Sequence, residues 1–168
     1  MLKTVLAAVC AAVALAAGPA AAQGASPTLA KIKAAKAINV AYSPDSAPFS
    51  SVTGSAAPQG YAIELCQRVI AQIARAVGEP ELKVNWIAAP VAERVQMVAG
   101  GRAELDCANT TQTQTRLASV DFSNLIFIDG GGLMVKAGAP INRIADLAGK
   151  RVAVLKGTTT ERRLNDTL

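Results

Sequence analysis

Residues 82–108, LKVNWIAAPVAERVQMVAGGRAELDCA, decide the fold. Apolar and polar residues alternate over residues 82–86, which predicts a β-strand. Residues 91–98 then follow a helical pattern, with Gly100-Gly101 as the C-cap, and residues 104–108 predict another short strand. A helix between two strands predicts a parallel pair.

The residues before this stretch extend the same pattern toward the N-terminus. Residues 28–36 have helical spacing, and residues 37–42 alternate as a strand. A loop with two prolines, residues 43–49, lies at the carboxyl end of that strand, and a loop rich in Ser, Gly and Pro follows over residues 50–60. Residues 62–77 form the clearest amphipathic helix, which Gly78 ends. The order strand, helix, strand, helix, strand predicts an α/β fold with a mainly parallel sheet flanked by helices.

Toward the C-terminus the pattern becomes less regular. A polar loop, residues 109–116, follows the third strand, and Gly130-Gly131-Gly132 interrupts an apolar stretch. Because no G-x-G-x-x-G or Walker pattern surrounds these glycines, a connection or close strand packing is preferred to phosphate binding. Residues 141–147 predict a short helix, and residues 151–155 predict a buried strand that opens a second α/β unit.

The N-terminus predicts a secretory signal over residues 1–22. A basic start precedes an apolar run over residues 4–17, and Ala20-Ala21-Ala22 supplies a cleavage site. The run is shorter than the ~20 residues that a membrane span needs. Export to the periplasm is therefore expected, and residues 23–130 and 131–168 are the two units of the remaining chain.

Composition excludes several classes of function. The 168 residues are 51% hydrophobic and 17% charged, and none is histidine, which excludes imidazole-based triads, metal sites and proton shuttles. The three cysteines form no C-x-x-C pair, and no metal or cofactor site is predicted. Lys and Arg number 17 against 12 Asp and Glu, but the basic residues are scattered and aromatics make up only 4%. A solvated basic face is therefore preferred to nucleic-acid binding.

Two polar stretches follow predicted strands and are candidate sites. Thr158 and Glu161 have the spacing of a capping box, which either only caps a helix or offers its N-terminus to an anion such as a carboxylate. Residues 109–116, NTTQTQTR, place hydroxyls and amides before Arg116. They lack a basic partner for nucleophilic catalysis, but they suit recognition of a carboxylate; the alternative is a solvated turn with one surface arginine.

Several motifs together resemble the periplasmic solute-binding proteins of polar amino acid ABC importers. The resemblance covers nearly all of the chain after residue 22, and residues 106–111 with Ile126-Phe127 are most similar to the glutamate/aspartate branch. It rests on Ala47-Pro48-Phe49-Ser50, Gly60-Tyr61-Ala62-Ile63-Glu64-Leu65-Cys66, Arg94, Thr111 to Arg116, Val120-Asp121-Phe122-Ser123, Asp146-Leu147-Ala148-Gly149-Lys150 and Gly157-Thr158-Thr159.

The resemblance implies a two-lobed clamshell that closes on a free amino acid and delivers it to a membrane permease. The first lobe, residues 23–130, is largely present, whereas the second, within residues 131–168, is only begun, so the sequence is expected to be a fragment. No catalysis and no cofactor are implied, and a monomer is expected.

Eight positions match the ligand-binding positions of that family. Arg116 matches the arginine that holds the ligand α-carboxylate, and Thr159 with Thr158 matches the second-lobe helix start that holds the same group. The other matches are Ala108, Asn109 and Thr111, whose oxygens receive the ammonium or carboxylate, Tyr61, which packs on the ligand, and Ser43. Ser43 stands where acidic and basic amino acid binders often carry a charged residue, so the side-chain preference is open.

Two other functions are also considered. Periplasmic cyclohexadienyl dehydratases share this fold and many of the motifs, and a receptor's ligand-sensing module is a third candidate, which would need a membrane span after Leu168.

Cys66 and Cys107 are the cysteines that remain after the signal. Because an oxidising compartment favours pairing, a disulfide is preferred to two buried thiols.

Overall fold

A computed structural model describes residues 26–54 and 56–168. The predicted signal, residues 1–22, lies outside the described residues. None of the helices in the described part is long and apolar enough to cross a membrane.

The first half of the chain forms the α/β unit that the sequence predicts. Helix α1 (Pro27–Ala35) leads into β1 (Ala37–Tyr42), and two short strands, β2 (Asp45–Ser46) and β3 (Ser50–Ser51), form an antiparallel hairpin. Helix α2 (Tyr61–Val77), β4 (Lys83–Ala88), α3 (Val91–Ala99) and β5 (Leu105–Cys107) complete the unit. The central sheet has the order β4-β1-β5, and both pairings are parallel, which confirms the predicted sheet.

The sheet is covered on both faces because the apolar residues of β1 alternate. Ile38 and Val40 pack into one cluster with Ile32 of α1 and with Ile63 and Ile70 of α2. On the other face Ala41 packs with Ala89, with Met97 of α3 and with Ala103. All of these residues are buried. Two clusters of buried residues therefore pack against the middle strand, one on each face, and the loops at its carboxyl end extend from this packed strand.

The hairpin is fastened to the start of α2 by the backbone. The carbonyls of Pro48 and Phe49 each accept a hydrogen bond of 2.9 Å, from the N–H groups of Tyr61 and Ala62 respectively, which satisfies two donors of the helix N-terminus. Gly60 makes this approach possible: its φ is +127°, and a Cβ at this position would lie 2.6 Å from the Phe49 oxygen. The part of the predicted loop region at residues 43–51 thus forms a hairpin that is hydrogen-bonded to the start of α2.

The second half of the described chain contains little regular structure. A four-residue helix, α4 (Gln114–Leu117), is followed by a 3₁₀ helix over Ile144–Leu147, within the predicted helix at residues 141–147, and by α5 (Thr159–Asn165). The prediction of a buried strand at residues 151–155 is wrong for this structure: no strand forms there, and Leu155 is 65% exposed. A strand needs a neighbouring backbone to pair with, and none of the described residues supplies one here.

Candidate functional site

The carboxyl ends of the three parallel strands meet at one edge of the sheet. Ser43 follows β1, Ala89 follows β4 and Ala108 follows β5. Ligands of open α/β sheets commonly bind at this edge, because loops from different strands converge there. Two of the residues that the sequence singles out, Ser43 and Ala108, directly follow strands at this edge.

Ser43 lies inside the loop that leads to the β2–β3 hairpin rather than on its surface. The residue is 3% exposed. Its hydroxyl donates to Asp45 Oδ1 at 2.9 Å and lies 2.8 Å from Ser46 Oγ. Its N–H donates to Ser50 Oγ at 3.0 Å, and that hydroxyl donates back to the Ser43 carbonyl at 2.7 Å. The Ser43 hydroxyl therefore shapes the loop, and a ligand role for Ser43 stays a prediction.

Arg116 projects from α4 beside the loop that follows β5. Thr113 caps this short helix by accepting a hydrogen bond from the Arg116 N–H at 3.2 Å. Nη1 of Arg116 donates to the Thr111 carbonyl at 2.7 Å, and Nη2 lies 3.5 Å from the Gly157 carbonyl. The remaining guanidinium N–H groups have no partner among the described residues. An arginine with open donors is suited to a carboxylate, which it can bind through two parallel bonds.

Burial and two like charges lower the pKa of Arg116, but the guanidinium stays a cation. Desolvation is the largest cause, the charge of Asp106 opposes it, and Arg162 and Arg94 add to the lowering. An arginine keeps its proton throughout the physiological range. A positive charge therefore faces the loop throughout the physiological pH range.

The loop residues next to Arg116 differ in exposure. Ala108 is buried, whereas Asn109 and Thr111 are exposed. Their carbonyl and side-chain oxygens lie in the same short loop as the arginine's acceptor, and an ammonium group needs such oxygens. The contact that the structure shows between this loop and the Arg116 guanidinium is the bond to the Thr111 carbonyl.

Tyr61 lines an aromatic cleft at the start of α2. Its ring lies 6.2 Å from that of Phe49, which in turn lies 5.0 Å from Phe127, and both pairs meet edge to face. Its hydroxyl donates to the Ile126 carbonyl at 2.9 Å. With Pro48 and Asp129 these rings line an open cleft of about 510 Å³. Tyr61 is 43% exposed, so its ring can pack on a small molecule.

Thr158 begins the last helix as its N-cap. Its hydroxyl accepts a hydrogen bond from Glu161 N–H at 3.0 Å and donates to the Leu155 carbonyl at 2.7 Å. The Glu161 carboxylate accepts from the N–H of Gly157 at 2.6 Å, one residue before the N-cap, so half of the predicted capping box forms as expected. Thr159 is the first helical residue.

The helix start lies close to Arg116. Gly157 packs so tightly on Ala92 of α3 that a Cβ would lie 2.7 Å from the Ala92 Cβ. Arg162 Nη1 lies 3.5 Å from Thr115 Oγ1. Gly157 and Arg116 both line a small pocket of about 270 Å³. Residues far apart in sequence, at positions 108–116 and 157–159, are therefore neighbours in the fold.

Two charged residues at this edge were not predicted from the sequence as a pair. Arg94 is 1% exposed, and its Nε lies 3.0 Å from Asp106 Oδ1. Burial is the largest influence on the pKa of Asp106 and raises it, while the Arg94 charge and the hydrogen bond from Thr110 oppose the shift. A sequence signal did exist: Arg94 lies on the helix face that Val91, Val95 and Val98 share, where a solvated residue is not expected.

A disulfide joins Cys66 of α2 to Cys107 at the end of β5. This confirms the predicted pairing. It ties the strand that precedes residues 108–111 directly to the helix that carries Tyr61. No group of three or more potential metal ligands exists within residues 26–54 and 56–168.

Comparison with known proteins gives consistent results. The profile of a family described as "Bacterial extracellular solute-binding proteins, family 3" matches residues 38–168. A Pseudomonas aeruginosa L-glutamate/L-aspartate-binding protein is 36% identical over 138 residues, which are 82% of this chain and 46% of that protein. An Escherichia coli glutamate/aspartate import solute-binding protein is 32% identical over 158 residues, 92% of this chain and 52% of that one. The chain thus spans about half the length of these curated relatives.

Solved structures agree on the fold. A mutant of ArgBP from T. maritima superposes with a TM-score of 0.71 at 23% identity, covering 83% of this chain and 58% of that one. An ancestral arginine-binding protein bound to glutamine superposes with a TM-score of 0.65 at 26% identity, covering 78% of this chain and 56% of that one.

Proposed function

The chain belongs to family 3 of the bacterial extracellular solute-binding proteins and has their two-lobed α/β fold in part, and from this premise we propose that it binds a free polar amino acid. The proposal places the ligand at the carboxyl edge of the sheet and assigns delivery to the permease of an ABC importer. It also places the protein outside the cytoplasm, in the periplasm, as a monomer without a cofactor. The curated relatives, which are named for the binding or import of glutamate and aspartate, support an acidic or other polar ligand.

The observation that carries the proposal is the position of Arg116. Its guanidinium has open donors, touches the loop of residues 108–111 and lies 3.5 Å from the carbonyl of Gly157, just before the helix start at Thr158. A carboxylate at this point would bind the arginine fork, and the helix start with Thr158 and Thr159 would complete its coordination. The ammonium would then find the oxygens of Ala108, Asn109 and Thr111.

Two further positions complete the proposed site. Tyr61 would pack on the ligand from the aromatic cleft. Ser43 would lie behind it as a neutral residue, because its hydroxyl is already bonded to the hairpin loop. Since no charged side chain occupies this position, residues elsewhere in the cleft would recognise the ligand's side chain.

Binding rather than catalysis is proposed because proton transfer needs a group that can exchange its proton with the ligand. Asp106 is the buried carboxylate of this edge, and it is engaged by Arg94 and Thr110. Both of its oxygens contact protein side chains, so this carboxylate is not presented to a ligand. The arrangement therefore suits reversible recognition, in which no bond of the ligand changes.

A thermal-shift screen of the protein against the twenty amino acids tests the proposal, followed by calorimetry on any that act. A ligand that binds only the folded state raises the melting temperature, and a rise with glutamate, aspartate or another polar amino acid is expected. Arg116→Ala serves as the matched control and should abolish the rise. A cooperative melt that no amino acid shifts would refute the proposed function.

A further inference from the structure

A buried arginine ties three parts of the sheet edge together. Nη1 of Arg94 donates to the Ala89 carbonyl, just after β4, at 3.0 Å. Nη2 donates to Thr110 Oγ1 at 3.2 Å, and Nε lies 3.0 Å from Asp106 Oδ1 in β5. A charge that is only 1% exposed is tolerated when such partners replace its water. Arg94 therefore connects the carboxyl ends of β4 and β5 to the loop that follows β5.

The Thr110 hydroxyl links the two charges. It accepts from Arg94 Nη2 and donates to Asp106 Oδ2 at 2.5 Å. Nε of Arg94 and Oδ1 of Asp106 are close enough for an ion pair, yet neither has a hydrogen-bond partner of suitable angle among the described residues. The Thr110 hydroxyl thus forms well-aligned hydrogen bonds to both Arg94 and Asp106, which the direct contact between these two residues lacks. Through these bonds, Arg94 and Asp106 hold the loop at Thr110.

We propose that Arg94 and Asp106, acting through Thr110, are positioning residues that set the geometry of Arg116 in the ligand site. This inference rests on the proposed function for its consequence in binding. The path is short: Thr110 is followed by Thr111, whose carbonyl accepts a bond of 2.7 Å from Arg116 Nη1. If Thr110 loses its bonds to Arg94 and Asp106, the Thr111 carbonyl moves, and the Arg116 guanidinium loses the hydrogen bond that orients it.

The first readout needs no ligand. Thr110→Val replaces the hydroxyl by a methyl group of similar size, whereas Thr110→Ser keeps the hydroxyl, and both are made in the full 168-residue chain. Hydrogen–deuterium exchange with peptide mass spectrometry should show amides of residues 108–116 exchanging about tenfold or more faster in Thr110→Val, with wild-type rates in Thr110→Ser. Thr110→Ala provides the same test if the valine variant does not fold.

A variant just before the start of β5, at the other end of that strand from the loop, controls for general loss of stability. Glu104 accepts bonds from Lys31 Nζ at 2.6 Å and from the N–H of Asn39 at 2.7 Å, near the opposite end of the sheet. Glu104→Gln should weaken the fold without selective exchange in residues 108–116. Equal exchange of that loop in wild type and Thr110→Val would overturn the inference, whatever the chain binds.

The second readout is affinity, measured by calorimetry with an amino acid that the wild-type chain binds. Thr110→Val should weaken binding about tenfold or more, and Thr110→Ser should restore it. Equal affinity of the valine and serine variants would overturn the positioning role while the proposed function stands. If the wild-type chain binds no amino acid, the proposed function fails, and the exchange comparison still decides whether this pair holds the loop.

Discussion

Reduction of the Cys66–Cys107 disulfide is expected to lower the free energy of unfolding by about 4 kcal/mol. The two cysteines are 41 residues apart, and the closed loop contains the part of α2 after Cys66, together with β4 and α3. In the chain-entropy treatment a loop of ~15 residues contributes about 3 kcal/mol and one of ~100 residues about 4.7 kcal/mol, so this loop falls between them. A domain is stable by only about 5–15 kcal/mol in total, so the loss is a large part of it.

Urea denaturation followed by circular dichroism measures this loss. Cys10→Ser is introduced first, so that Cys66 and Cys107 are the remaining cysteines of the chain. With a slope of about 1–3 kcal/mol per molar urea, a loss of 4 kcal/mol should lower the unfolding midpoint by about 1–4 M on reduction. The double variant Cys66→Ala/Cys107→Ala should behave like the reduced protein.

Two results would refute this reasoning. Alkylation of both thiols in unreduced, folded protein would show that the pair is not joined in solution. An unchanged midpoint after complete reduction, verified by peptide mass spectrometry, would show that closure of this loop does not restrict the unfolded chain as the entropy treatment requires.

Three other perturbations follow from the structure. Arg116→Ala should abolish amino acid binding, a loss of about 2–5 kcal/mol by calorimetry because the ligand carboxylate is left unpaired; unchanged affinity would exclude this site. Gly60→Ala should lower the free energy of unfolding in urea by about 2 kcal/mol or more, since its Cβ would strike the Phe49 carbonyl. Gly54→Ala, with positive φ but no described residue within 4 Å of the added Cβ, should cost about 1 kcal/mol; equal losses would contradict the contact. The pKa of Asp106 is raised in the folded state, chiefly by burial, so the folded protein holds this proton more tightly than the unfolded chain. The resulting stability is lost as pH rises from the ordinary value of 3.8 through the raised one, and urea melts across this window should show wild type losing stability relative to Asp106→Asn. A constant difference between the two would contradict the assigned shift.

The elements of the first lobe could be predicted because their information is local. Strand β1 occupies the predicted residues 37–42, and α2 begins one residue before its predicted start. In both, the spacing of apolar residues alone specifies the element and its buried face. At residues 151–155 the same kind of pattern fails. It shows that a segment is able to pair, but not whether a partner strand lies beside it.

The candidate site was predicted in part. The loop with Arg116 and the capping Thr158 could be identified because polar residues gather directly after predicted strands. The bonds of the Ser43 hydroxyl could not be predicted, because they depend on how a two-residue hairpin folds back. The contact of Arg94 with Asp106 could not be predicted either, since it depends on which face of the sheet α3 covers.

The order of the sheet also bears on how fast this protein can fold. The middle strand, β1, precedes the segments that it bonds to by many residues. Asn39 bonds to Asn85, 46 positions along the chain, and to Glu104, 65 positions along. Closing such long loops is slow, because chain entropy is lost before any strand bond forms. The edge at which we propose the ligand site includes the end of β5 and therefore depends on the later of these two closures. During synthesis β1 therefore has both of its neighbouring strands only after more than 100 residues have left the ribosome.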